Sequence, residues 1–193
     1  MKRVIGWVGM FLVCASSASA QVRWDSPFLV SPRPAPGVGI FLVDVAGGDI
    51  GALVRWQPTP TAWGLRLGLA EAPRDDVGVF FGGDVSGGIT RASTEFPLDM
   101  DWVFGVGAGI ADDVVVSIPI GLTLGHTFVG QGATFTPYLS PRLVLDAIFD
   151  GDDDLDLDFA VDLGLDLRLQ RNWMIRFGAT FGDREAIAIG LVF

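Results

Sequence analysis

The chain has 193 residues, half of them apolar, with 26 glycines, 23 acidic residues against 13 basic ones, and a formal net charge of −10. Mean hydropathy is +0.46, while charged residues make up only 19%, below the roughly 25% of ordinary globular domains. So apolar a chain is not disordered, and its acidic balance argues against nucleic acid as a partner, because phosphates call for a basic face.

Residues 1–20 read as a cleaved export signal. Met1-Lys2-Arg3 is basic, residues 4–13 are apolar, and Ala18-Ser19-Ala20 fits the small-x-small cleavage rule. Removing Lys2 and Arg3 leaves 11 of the 13 basic residues, all arginine, against 23 acidic ones, a charge of −12. Cys14, the one cysteine, falls in the removed segment, so the mature chain has no disulfide or thiolate chemistry. Val13, standing before it, does not suit a lipid anchor. Residues 21–37 carry Pro27, Pro32, Pro34 and Pro36 and read as an extended periplasmic tail or a partial plug.

No later segment offers the roughly 18 or more apolar residues of a transmembrane helix. Strands account for the hydropathy instead, since they send alternate side chains to opposite faces. Residues 38–45 alternate loosely. Ile50, Ala52, Val54 and Trp56 then oppose Gly51, Leu53, Arg55 and Gln57, and Trp63, Leu65, Leu67 and Leu69 oppose Gly64, Arg66, Gly68 and Ala70. Residues 77–86 are irregular, and Leu98, Met100, Trp102, Phe104 and Val106 oppose Asp99, Asp101, Val103, Gly105 and Gly107. From 114 to 124 the even positions are branched and apolar, and residues 133–149 form a less clean strand. Residues 155–170 alternate without exception: Leu, Phe and Val at odd positions face Asp156, Asp158, Ala160, Asp162, Gly164, Asp166, Arg168 and Gln170. Residues 173–182 and 187–193 complete the series.

Turn-like breaks separate these segments at 46–49, 58–61, 71–76, 86–97, 111–113, 129–132, 150–154, 171–172 and 183–185. The pattern predicts an all-β fold, an antiparallel up-and-down transmembrane β-barrel over residues 38–193 with periplasmic N- and C-termini. Ten strands are favoured; eight result if residues 38–45 and one irregular segment stay outside the wall.

A soluble barrel of the lipocalin type turns its apolar face inward. Here long Leu, Ile, Val and Phe ladders oppose glycine, small polar and ionised residues, so the ladders belong in lipid and the small face inside. A soluble β-sandwich would need a second sheet to cover them. The expected barrel interior therefore holds Arg55, Arg66, Asp84, Asp99, Asp101, Arg142, Asp146, Asp156, Asp158, Asp162, Asp166, Arg168 and Arg176. Its carboxylates outnumber its arginines, which favours a partly hydrated lumen. A barrel of eight to ten strands is nevertheless narrow enough for side chains to fill. Trp56, Trp63, Trp102, Phe128, Phe135, Trp173 and Phe193 cluster near the turns expected on the periplasmic side, as one girdle of an aromatic belt.

The signal, the alternating strands and the ending Ile187-Ala-Ile189-Gly-Leu191-Val-Phe193 resemble the small bacterial outer-membrane β-barrel family of the outer-membrane protein A and X type. The resemblance is architectural and brings no activity motif. It implies a Gram-negative outer-membrane location, with Ile189, Leu191 and Phe193 as the signal read by the barrel assembly machinery, and lipid and lipopolysaccharide as surroundings.

Two local features could carry chemistry. The acidic run from Asp150 to Asp158 lacks the glycine and glutamate of an EF-hand loop; Asp150, Asp152 and Asp154 remain a weak Ca²⁺ candidate beside a solvated hairpin tip. Its strand, at about 3.3 Å per residue and a tilt near 40°, outreaches the ~25 Å apolar band. His126, the one histidine, shares parity with the lipid-facing Leu122 and Leu124 and reads as an interfacial residue. No cofactor is implied and an enzyme is not expected. Three functions compete: a structural or interaction barrel with a filled, charged lumen; a narrow cation-preferring channel for small solutes; and a lipid-modifying enzyme using His126.

Overall fold

The computed structural model describes residues 23–45, 49–59, 63–72, 76–149, 154–170 and 173–193. The expected export signal with Cys14, and the carboxylates of Asp150 and Asp152, lie outside them.

The alternating segments become strands β1 (Gly37–Val45), β2 (Asp49–Gln57), β3 (Trp63–Ala72), β4 (Asp76–Thr90), β5 (Asp99–Ile110), β6 (Val114–Gly125), β7 (Phe128–Val129), β8 (Thr134–Phe149), β9 (Asp154–Gln170), β10 (Trp173–Gly182) and β11 (Ala186–Val192). Each wall strand pairs antiparallel with its neighbours in sequence, β6 with β8, and β1 pairs with β11 to close the sheet. The two-residue β7 only adds to the edge of β8 at Phe128↔Phe135. The result is a closed antiparallel barrel of ten strands. The loosely patterned residues 38–45 are a wall strand, so the eight-strand alternative falls.

Strand β4 runs four residues past the expected end at 86. Gly87 and Gly88 look like a turn in sequence, yet they pair with Trp102 and Asp101. A Cβ at Gly87 would lie 2.5 Å from Trp102 Nε1, so glycine there lets the indole lie across the strand.

The ladders face outward as expected: Leu42 is 63% exposed, Leu67 58% and Ile187 62%, whereas Asp101 and Asp146 are fully buried. An outer surface so continuously apolar exceeds the few hundred Å² patches of soluble monomers, and with a polar interior it is the arrangement of a transmembrane β-barrel.

Gly37 and Phe193 meet at one rim, the terminal rim. There Val38 N–H donates to Phe193 O at 2.8 Å and Phe193 N–H to Val38 O at 2.9 Å. The β1–β2, β3–β4, β5–β6, β8–β9 and β10–β11 connections lie at the opposite rim.

Candidate functional site

Of the two readings of the proline-bearing segment before β1, an extended tail or a partial plug, the position of the segment matches the plug. Residues 24–32 are buried inside the barrel, Trp24, Phe28, Leu29 and Val30 at 1% exposure or less. They join Phe41, Leu53, Phe80, Val103 and Met174, inward residues of five different strands, in one apolar core. The glycine face of the wall is shaped to receive them. A Cβ at Gly82, Gly105 or Gly107 would stand 2.1, 2.8 or 2.6 Å from the Trp24 indole, and one at Gly178 would stand 2.6 Å from Leu29 Cδ2. Trp24 meets Phe28 edge-on at 6.0 Å, and its Nε1 donates to Ser117 O at 3.1 Å.

An irregular backbone inside a barrel must find partners for its polar groups, and inward arginines supply them. Arg66 donates to the carbonyls of Trp24, at 3.3 Å, Pro27, at 3.1 Å, and Phe28. Its guanidinium lies 5.1 Å from both the Trp24 and Phe28 ring centroids, while Arg142 covers Phe28 at 5.4 Å. Arg176 donates to Leu29 O at 2.8 Å and to Ser31 Oγ at 3.2 Å, and it holds Asp166 with two bonds of 2.6 and 2.7 Å. Leu29 takes a left-handed φ of 55°, a conformation that surrounding contacts must hold. Thr123 Oγ1 donates to Val30 O at 3.0 Å.

The segment also brings charge. Asp25, fully buried, accepts from both Arg142 and Arg184. Arg142 Nε donates to Asp162 at 2.7 Å, and the other oxygen of Asp162 accepts from Thr180 Oγ1 at 2.6 Å and from the Phe28 amide at 3.3 Å. Arg23 and Arg184 share the carboxylates of Asp146 and Asp158. Arg55 holds Asp84 at 2.7 Å, Arg33 holds Asp99 at 2.8 Å, and Arg91 pairs with Asp101. Arg184 lies in the β10–β11 turn. Burial works against its charge, but the carboxylates of Asp25 and Asp146 raise its pKa above the ordinary guanidinium value.

Among the described residues these pairs join eight arginines to eight aspartates: Arg23, Arg33, Arg55, Arg66, Arg91, Arg142, Arg176 and Arg184 with Asp25, Asp84, Asp99, Asp101, Asp146, Asp158, Asp162 and Asp166. The expected excess of interior carboxylate is therefore corrected. Arg23, Arg33, Arg91 and Arg184 come from the N-terminal segment and two connections, where strand parity gives no reading.

Eleven of the thirteen expected interior residues are buried: Arg55, Arg66, Asp84, Asp99, Asp101, Arg142, Asp146, Asp158, Asp162, Asp166 and Arg176. Asp156 is not. It has the inward parity and pairs with Asp146, but β10 reaches only to Ala160 along β9, so no wall faces it. Arg168, towards the terminal-rim end of β9, is half-buried near Pro36, Trp173 and Phe193.

With these interior pairs matched, most of the other acidic residues among those described gather at one rim. Among the described residues, the turns opposite the terminal rim and the strand ends beside them carry Asp44, Glu71, Asp112, Asp113, Asp154, Asp183 and Glu185. The described connections at the terminal rim hold Glu95 and Arg91, the latter paired with Asp101. Asp154, the described member of the Ca²⁺ candidate, is exposed and accepts from the Leu155 amide at 2.8 Å. Among the described residues no group of three or more His, Cys, Asp or Glu is placed to hold a metal ion.

His126 is half-buried just past β6. Its ring meets Phe128 edge-on at 4.6 Å, its Nδ1 bonds the carbonyl of Pro97, and Phe128 stacks on Phe135 at 4.8 Å. Trp56 and Trp63 meet edge-on at 5.3 Å at the same rim. Ile189, Leu191 and Phe193 face outward beside β1.

Fold and interior together define the class: a small transmembrane-type β-barrel with a charged interior occupied by its own N-terminal segment. No family model matches the chain, and no curated protein matches it. Among solved structures it is similar to a chain described as "De novo design of transmembrane beta-barrels", at 14% identity and a TM-score of 0.38, over 83% of this chain and 98% of that one.

Proposed function

We propose that the protein is a bacterial outer-membrane barrel that conducts nothing and catalyses nothing, and that serves a structural or interaction role in the membrane. One observation carries the reading: residues 24–32 occupy the space a solute would need, and arginine–aspartate pairs balance the charge around them. The cation-preferring channel rested on surplus interior carboxylate, and that surplus is matched by Arg23, Arg33, Arg91 and Arg184. A lipid-modifying site at His126 would need a neighbouring nucleophile or carboxylate; its hydrogen bond goes to the Pro97 carbonyl instead. The signal at 1–20 and the ending at Ile189, Leu191 and Phe193 support export and delivery by the barrel assembly machinery into a lipid and lipopolysaccharide layer. The test is planar-bilayer recording of refolded protein whose heat-modifiable gel mobility shows a closed barrel. A silent membrane in both polarities is expected; cation-selective steps lost on replacing Asp158 and Asp162 would establish the channel.

A further inference from the structure

The direction in which the N-terminal segment threads the barrel has a consequence for sidedness. Strands β6 and β9 both run from the acidic rim to the terminal rim. Along β6, Trp24 bonds Ser117 and Val30 bonds Thr123, six residues nearer the terminal rim. Along β9, Arg23 bonds Asp158 and the Phe28 amide bonds Asp162. The segment therefore runs parallel to both strands, entering from the acidic side and leaving at Gly37. Its reach suffices: fourteen steps of at most about 3.6 Å give ~50 Å, against an apolar band of ~25 Å.

We infer that the chain passes through the membrane eleven times, ten in the wall and once through the lumen, which it enters at Arg23 from the side of the acidic turns, opposite the C-terminus. An even-stranded barrel with a simple tail keeps both termini on one side; a threaded lumen makes the number of passages odd. Arg23, the first described residue, then lies on the acidic side with its carboxylate partners Asp146 and Asp158. This inference rests on the lumen being occupied, as the closed-barrel reading does, but the two fail separately. A segment that entered and left at the terminal rim would still block conductance while leaving its end on the C-terminal side.

Single cysteines in a Cys14→Ser background give the test, since the chain has no other cysteine. Val22→Cys is compared with Glu185→Cys, on the acidic rim, and Thr94→Cys, exposed on the terminal rim, by treating intact cells with a bulky, membrane-impermeant maleimide. Val22→Cys is expected to follow Glu185→Cys, labelled before permeabilisation or only after it, and to differ from Thr94→Cys. Labelling together with Thr94→Cys overturns the inference. Only variants with heat-modifiable mobility are compared. If Val22→Cys fails that criterion, a short epitope placed between Val22 and Arg23 and detected by antibody under the same regime gives the same two outcomes.

Discussion

Replacing Arg142 with methionine should open the charge network at its centre. The guanidinium is fully buried, bonds Asp162 at 2.7 Å, the Asp25 carboxylate, and the Asp25 carbonyl at 3.1 Å, and covers Phe28 at 5.4 Å. Methionine fills much of the same space with a flexible apolar chain, so the loss is one of charge and hydrogen bonding more than of volume. Asp25 keeps Arg184, whereas Asp162 keeps, among the described residues, the Thr180 hydroxyl and the Phe28 amide. Leaving one buried charge without its partner costs roughly 3–5 kcal/mol, about two to four decades in the folding equilibrium. Adding Asp162→Asn removes that uncompensated charge, so Arg142→Met/Asp162→Asn should recover part of the loss, with a coupling of about 0.5–3 kcal/mol. Urea unfolding in detergent micelles, followed by heat-modifiable mobility and tryptophan fluorescence, measures both. An Arg142→Met variant within about 1 kcal/mol of the parent, or a double variant less stable than the single one, would refute the reasoning.

Three further outcomes follow from the same contacts. Gly82→Val places branched carbon where a Cβ alone would stand 2.1 Å from Trp24; a loss of about 1–3 kcal/mol and altered tryptophan emission are expected, and unchanged emission would count against the seating of Trp24. Arg176→Lys gives up the two-pronged contact with Asp166 and the bond to Leu29 O, and should cost about 1–3 kcal/mol in the same unfolding assay. Leu163→Arg puts a cation on the exposed face of β9, costing roughly 2–4 kcal/mol at mid-membrane; vesicle refolding as efficient as the parent's would show that this face does not meet lipid.

The barrel was legible because its signal is local. In β9 sixteen residues alternate without a break, one slip in register would send Asp158, Asp162 and Asp166 into lipid, and eleven charged residues of inward parity along the chain are buried. Parity did not say where the wall ends, which is why Asp156 was placed inside although β10 stops short of it. The threaded segment has no period. Its partners on β6 and β9 lie more than ninety positions away, and its four prolines read equally well as a solvated tail. One signal was available: the apolar run Phe28-Leu29-Val30, next to Trp24 and the isolated charges Arg23 and Asp25, is a costly composition for a tail in water. Arg184 was hidden for a related reason, because a turn residue has no parity to read.

That the N-terminal segment lies inside the wall is tested most directly by a disulfide between the two. A Cβ at position 178 would lie 2.6 Å from Leu29 Cδ2 and 3.8 Å from Cγ, whereas Phe177, the next residue, faces outward. In the Cys14→Ser background, oxidised Leu29→Cys/Gly178→Cys protein should yield one cross-linked peptide by mass spectrometry, and Leu29→Cys/Phe177→Cys none. A folded, heat-modifiable barrel that forms neither bond, or both to the same extent, would contradict a lumen filled by residues 24–32.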